Sequence, residues 1–148
     1  MTKLSGQLND VVASAEREFG ALTDDVAAQP HIDGGWSRKQ ILGHLIDSAS
    51  NNHQRFVRAL LQDELRFPNY DQSGCVRVER YQEMDWNELL HLWAGYNRFL
   101  AHILAGVPEA KANTPCFIGD NAVLTLQELA ADYLKHMQHH LAQLKPRT

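Results

Sequence analysis

The sequence predicts an all-α fold, a four-helix bundle, and three observations carry that expectation. Apolar residues recur at three- and four-residue spacing along four long stretches, the mark of helices that each bury one face. The pairs Ser37 and Gln40, Asp85 and Glu88, and Thr125 and Glu128 have the spacing at which two side chains satisfy the orphaned amides of a helix start. No alternating apolar and polar pattern is long enough to compete as a strand. With 148 residues, 44% of them hydrophobic, the chain is expected to form one domain over 1–148 with a real core.

The first helix is expected from about Leu4 to Ala28, where Leu4, Leu8, Val11, Val12, Ala15, Phe19, Leu22 and Val26 form a stripe that Pro30 ends. Ser37 starts the second, which runs to about Gln62. Asp85 starts the third, with Trp86, Leu89, Leu90, Trp93, Tyr96, Phe99, Leu100 and Ile103 as its inner face, up to Gly106 and Pro108. Thr125 starts the fourth, whose stripe is Leu126, Leu129, Ala130, Tyr133, Leu134, Met137, Leu141 and Leu144. A short turn joins helices one and two, but about 22 residues (Asp63 to Met84) join two and three, and about 18 (Gly106 to Leu124) join three and four. Ordered loops of that length are more often functional than passive. The longer one can travel the length of a bundle, which allows helices two and three to run parallel in up-down-down-up order. That order sets the beginning of helix two beside the end of helix four.

Charge and composition exclude several partner classes. The formal net charge is −4 with no basic run, so the electrostatic footprint of a nucleic-acid binder is missing. No apolar run approaches the ~20 residues of a membrane span. Met1-Thr2-Lys3-Leu4-Ser5 leads into a mixed polar segment rather than a signal peptide, so the expectation is a cytoplasmic protein. Cys75 and Cys116, both in segments that read as loops, give no disulfide framework and no metal-binding spacing, and are expected as reduced thiols.

Chemistry concentrates at Asp132 to Leu144, which holds three of the eight histidines. Stepping ~100° per residue, His140 falls on the edge of the apolar stripe, His136 further round on the same flank, and His139 nearly opposite. His136 and His140 stand one turn apart on one face, the spacing at which two imidazoles can share a metal ion. His139 reads as solvated. A stable site needs a third ligand. His44 is a possible one, yet Ile41, Leu42, Leu45, Ala49, Phe56 and Leu60 define the apolar face of helix two and His44 falls on its polar side with Asp47, Ser48, Asn51 and Arg55. Periodicity alone therefore reads it as part of a solvated face. Of the remaining histidines, His91 and His102 should be solvated, His31 lies in a turn, and His53 is expected as a hydrogen-bonded core residue. Trp86 and Trp93 read as core.

Motif order adds to this. Trp36-Ser37, His44-Leu45-Ile46-Asp47-Ser48 with Arg55-Phe56, Phe67-Pro68-Asn69-Tyr70-Asp71-Gln72, and His136-x-x-His139-His140-Leu141 with Gln143 follow one another as in the DinB/YfiT-like superfamily of metal-dependent enzymes, which the chain from Trp36 onward resembles. The resemblance implies the up-down-down-up bundle, a homodimer, and a divalent ion, zinc or nickel, held by His44, His136 and His140. It also implies a small-molecule substrate and, in some members, a low-molecular-weight thiol as cosubstrate. Asp47, one turn after His44, could then orient an imidazole or accept a proton. Asp71 and Gln72 would sit over the metal, or else serve as turn formers.

Three neutral imidazoles leave an ion its full double charge and an open position, where a water or a thiol loses its proton near neutrality. The implied function is hydrolysis or thiol transfer on a small molecule. The alternative is a bundle that binds metal or ligand without turnover, as an interaction or stress-response protein.

Overall fold

The computed structural model describes residues 1–32 and 35–146. Six helices and three short strands follow in the order α1 (Thr2–Phe19), α2 (Asp24–Ala28), α3 (Arg38–Leu61), β1 (Leu65–Phe67), α4 (Gln72–Val78), α5 (Trp86–Ala105), β2 (Pro115–Ile118), β3 (Leu124–Thr125) and α6 (Leu126–Gln143), with short 3-10 turns at Tyr81–Glu83 and Glu109–Lys111. The long helices α1, α3, α5 and α6 form a four-helix bundle in which α5 packs on α1 and α3, and α6 on α3. No helix among the described residues is long and apolar enough to cross a membrane.

Helix directions follow from contacts at the ends. Ser5 Oγ donates to Ala101 O at 2.6 Å and Trp86 Nε1 to Phe19 O at 2.9 Å, so α1 and α5 are antiparallel. Asp24 accepts from the Trp86 amide at 2.8 Å and pairs with Lys39 Nζ at 2.8 Å, which sets the beginnings of α3 and α5 side by side. At the same end Arg38 Nε donates to Leu144 O at 2.7 Å, so α3 begins where α6 stops. The order is up-down-down-up.

Two capping boxes form as the spacing requires, at Ser37 with Gln40 and at Thr125 with Glu128. Of the third, the aspartate half is made: the Asp85 carboxylate accepts from the Glu88 amide at 3.1 Å. The expected first helix is two. It stops at Phe19 with Gly20 as its C-cap, and Thr23 caps a new start by accepting from the Val26 amide. The break frees Asp24 to bridge α3 and α5 instead of extending a stripe, and Val26 is left exposed.

On α5 the buried face is rotated from the expected one. Phe99 is 47% exposed and Tyr96 and Ile103 are half-buried, while Ala94, Asn97, Ala101 and Leu104 are buried. Small alanines admit the neighbouring helices, and Asn97 is satisfied inside by donating to Trp93 O and accepting from Tyr133 OH. His53 Nδ1 bonds Tyr96 OH at 2.8 Å, and His91 and His102 are exposed.

The two long connections are not plain loops. β1 pairs in parallel with β2 (Leu65 opposite Cys116, Phe67 opposite Ile118), and β2 pairs antiparallel with β3. Strands of two to four residues are too short for an alternating pattern to announce them. Cys116 is thus buried in a strand and Cys75 half-buried on α4, neither in the loop expected for it.

Candidate metal centre

The antiparallel pairing of α3 and α6 brings His44, in the second turn of one, against His136 and His140, in the last turns of the other. Their ring centroids lie 5.1 Å (His44 to His136), 4.8 Å (His44 to His140) and 4.5 Å (His136 to His140) apart. One ring nitrogen from each falls within 4.8 Å of the others. His44 Nε2 stands 3.3 Å from His136 Nε2. Two nitrogens bound to zinc at ~2.0–2.1 Å with a tetrahedral angle between them would be ~3.3–3.4 Å apart. One edge of the histidine triangle already has the size of a tetrahedral ion, and the donor set suits zinc, nickel or copper rather than calcium or magnesium.

His44 is 1% exposed. The polar-face reading of it is corrected, for a physical reason: the first half of α3 is enclosed by α2, α4, α5, α6 and the Tyr81–Glu83 turn, so its polar side has no open water to face. Burial, then the two neighbouring histidines, push His44 down to about 4, and burial likewise lowers His136 and His140. At neutral pH all three are uncharged imidazoles, the form that binds metal. His140 Nδ1 lies 2.8 Å from Gln143 Oε1, which makes Nδ1 the donor and leaves Nε2 with its lone pair free. The Trp36 indole walls the site, its ring 5.2 Å from that of His44. His139 is exposed and only touches His140.

Asp47 does not orient a histidine. Gly43 lets the Tyr81 ring lie directly against α3, and the Tyr81 hydroxyl donates to Asp47 Oδ1 at 2.7 Å. Burial, with the Glu79 carboxylate nearby, pushes Asp47 up to about 7 against the lowering effect of Tyr81. Asp71 is exposed and spends its carboxylate on the Gly74 amide at 3.0 Å, capping α4. Gln72 lines a cavity of about 170 Å³ that opens beside His136.

That cavity gathers residues whose part in the site the sequence left unassigned. Ser48, Asn52 and Arg55 continue the line of His44 down one flank of α3, and Asn69, Tyr70 and Tyr133 close the other sides. Ser48, Asn52 and Arg55 are all buried. Burial pushes Tyr70 up to about 12, so it stays a neutral phenol. The signal was present as a polar lane at helical spacing, which reads the same whether it faces water or an internal cavity. Gln143 was visible three residues after His140, but its role needed the side-chain geometry.

A family model described as the DinB superfamily matches residues 7–144. Over 138 residues, 93% of this chain and 78% of the relative, the sequence is 24% identical to the Bacillus subtilis (strain 168) protein named "Putative metal-dependent hydrolase YfiT". Relatives called metal-dependent hydrolases in the same terms are 25% identical in Bacillus pumilus (strain SAFR-032), over 93% of this chain and 79% of theirs, and 27% identical in Geobacillus thermodenitrificans (strain NG80-2), over 93% and 76%. The solved structure of YfiT from Bacillus subtilis, described as having an unusual four-helix bundle topology, superposes with a TM-score of 0.85 at 24% identity, covering 96% of this chain and 82% of that one.

Proposed function

Because the chain belongs to the DinB superfamily, we propose that it is a metal-dependent enzyme in which His44, His136 and His140 hold a divalent ion and a small molecule is attacked by water or by a small thiol. One observation carries this reading. Three uncharged imidazoles from two helices, His44 buried and His136 and His140 half-buried, converge within 4.8 Å at the side of a polar cavity. Burying such groups against one another costs free energy unless a ligand completes their hydrogen-bonding and coordination capacity.

A zinc or nickel ion bound there would supply Lewis acidity and lower the pKa of a water or thiol beside it. The chain's own residues do the rest. Gln143 fixes the tautomer of His140. The Arg38 bond to Leu144 O holds the end of α6 against the start of α3, and so keeps the two halves of the site in register. Trp36 and the burial of His44 exclude bulk water on one side, while the cavity beside His136 admits the substrate on the other. The hydrolytic branch is favoured by the names of the relatives, and the thiol branch uses the same centre.

Elemental analysis of protein purified without an affinity tag tests the site. His44→Ala, His136→Ala and His140→Ala should each lose stoichiometric metal, and His139→Ala should keep it. Panels of esters and electrophiles, with and without added thiol, then read turnover. Full metal occupancy in any of the first three variants would overturn the ligand set. Stoichiometric metal with no turnover across both panels would return the chain to a binding role.

A further inference from the structure

Arg55 sits in the middle of α3 with 8% of its surface exposed, and its guanidinium is charged at any physiological pH. Among the described residues it makes no hydrogen bond and no ion pair, and its buried Nε has no partner. Its neighbours are the Phe67 ring, 5.3 Å from the guanidinium carbon, and the neutral Tyr70 phenol. Buried arginines are otherwise paired, because an uncompensated charge in the interior is costly. Asp132 is the one acidic residue lining the same cavity, but it is exposed and does not reach Arg55.

The cavity that Arg55 lines also touches His136. Arg55 follows His44 by 11 residues, three turns, so the two lie on one flank of α3 with backbones ~16 Å apart along the axis. Helical side chains lean toward the N-terminus, which carries the guanidinium back toward the histidines. Between them Ser48 and Asn52 are tied to each other, with Asn52 Nδ2 donating to Ser48 O at 2.8 Å. They form a polar floor that carries no charge of its own.

We infer that this cavity binds a small anionic substrate, whose carboxylate or phosphate group pairs with Arg55 while a bond some distance along the molecule lies at the three histidines. The inference rests on the proposed function for what happens at the histidines, but the anion site itself does not need a metal. A forked guanidinium matches the two oxygens of either group, and the surrounding aromatic and amide walls leave it no other partner. The identity of the substrate class follows from charge complementarity: a neutral or cationic molecule would leave Arg55 uncompensated in the filled cavity.

Chelator-treated, metal-free protein is titrated calorimetrically with succinate, with inorganic phosphate and with uncharged succinamide. Saturable binding of succinate, phosphate or both, and none of succinamide, is expected. The carboxylate and phosphate arms tell which anion the fork prefers. Arg55→Met should weaken that binding at least tenfold, Arg55→Lys by less, and His44→Ala hardly at all. Removal of an unpaired buried charge should also leave Arg55→Met no less stable to urea than the parent, which separates lost binding from lost folding. Metal content of Arg55→Met should stay stoichiometric. Equal anion binding by parent and Arg55→Met, or no anion binding by the parent, overturns the inference. Metal retained in the histidine variants while the parent binds the anion would overturn the ligand set alone, and metal lost from them while the parent binds no anion would overturn the anion site alone.

Discussion

Replacing Gly43 by alanine sets two effects of opposite sign against each other. In an open helix the change stabilises by about 1 kcal/mol, because glycine loses more backbone entropy on folding. Here an added Cβ would stand 2.2 Å from Tyr81 Cδ2, 2.3 Å from Cγ and 2.8 Å from Cβ. The clash reaches the root of the ring, so rotating the side chain cannot relieve it and the Tyr81–Glu83 turn must shift. Overpacking of this kind costs about 1–3 kcal/mol. Moving Tyr81 also breaks its hydrogen bond to Asp47, leaving a buried carboxyl without its donor for another ~1–3 kcal/mol. The losses win, by roughly 3 kcal/mol at the centre of those ranges. For a chain of this length that lowers the melting temperature by about 6–12 °C. Urea unfolding followed by circular dichroism measures it, and Gly43→Ala combined with Tyr81→Ala should cost less than the sum of the two changes. A Gly43→Ala protein as stable as the parent would refute the packing of Tyr81 on α3.

Asp47 predicts a pH dependence. Its carboxyl titrates near 7 when folded against 3.8 as a free side chain, so the folded chain holds an extra proton between those values. The associated stability is complete below about 4 and is lost as pH rises through about 7, by at most about 4 kcal/mol. Asp47→Asn keeps an acceptor for Tyr81 and should flatten that fall; identical urea midpoints in variant and parent at both pH 5 and pH 8 would count against it. Gln143→Ala removes the group that fixes His140 and should weaken zinc binding about 10–100-fold in competition with a chelator. Unchanged affinity would remove Gln143 from the site.

What the sequence made legible were features repeated over many residues. The stripe of α6 from Leu126 to Leu144 is buried at every expected position, and the register that sets His136 and His140 together follows from it. Features resting on one or two residues were not legible. The break after Phe19 depends on Thr23 capping a five-residue helix, and the buried Asn97 on α5 depends on finding Tyr133 across the bundle. His44 marks a deeper limit. A helical wheel distinguishes apolar from polar flanks, and it assigns the polar flank to solvent by default. In α3 that flank is a buried lane in which His44 faces the two histidines of α6 and Ser48, Asn52 and Arg55 face a cavity, so the same pattern carries the opposite meaning. The motif resemblance promoted His44; the wheel alone would have discarded it.

The small sheet has a consequence for the order in which the molecule can assemble. Leu65 and Cys116 pair across about fifty residues of chain, and closing a flexible loop of that length costs roughly 3.5 kcal/mol in chain entropy, from (3/2)RT ln n before constant terms. Strands of three, four and two residues return too few ladder bonds to repay that alone. The closure has to be inherited from the helices, which bring both connections to one side of the bundle at no further entropic cost to the strands. The cavity wall that carries Asn69, Tyr70 and Ile118 is therefore downstream of the bundle in any folding route. One wall of the cavity is thus built on the element with the least independent stability, while Arg55 and His44 stand on α3, inside the bundle itself.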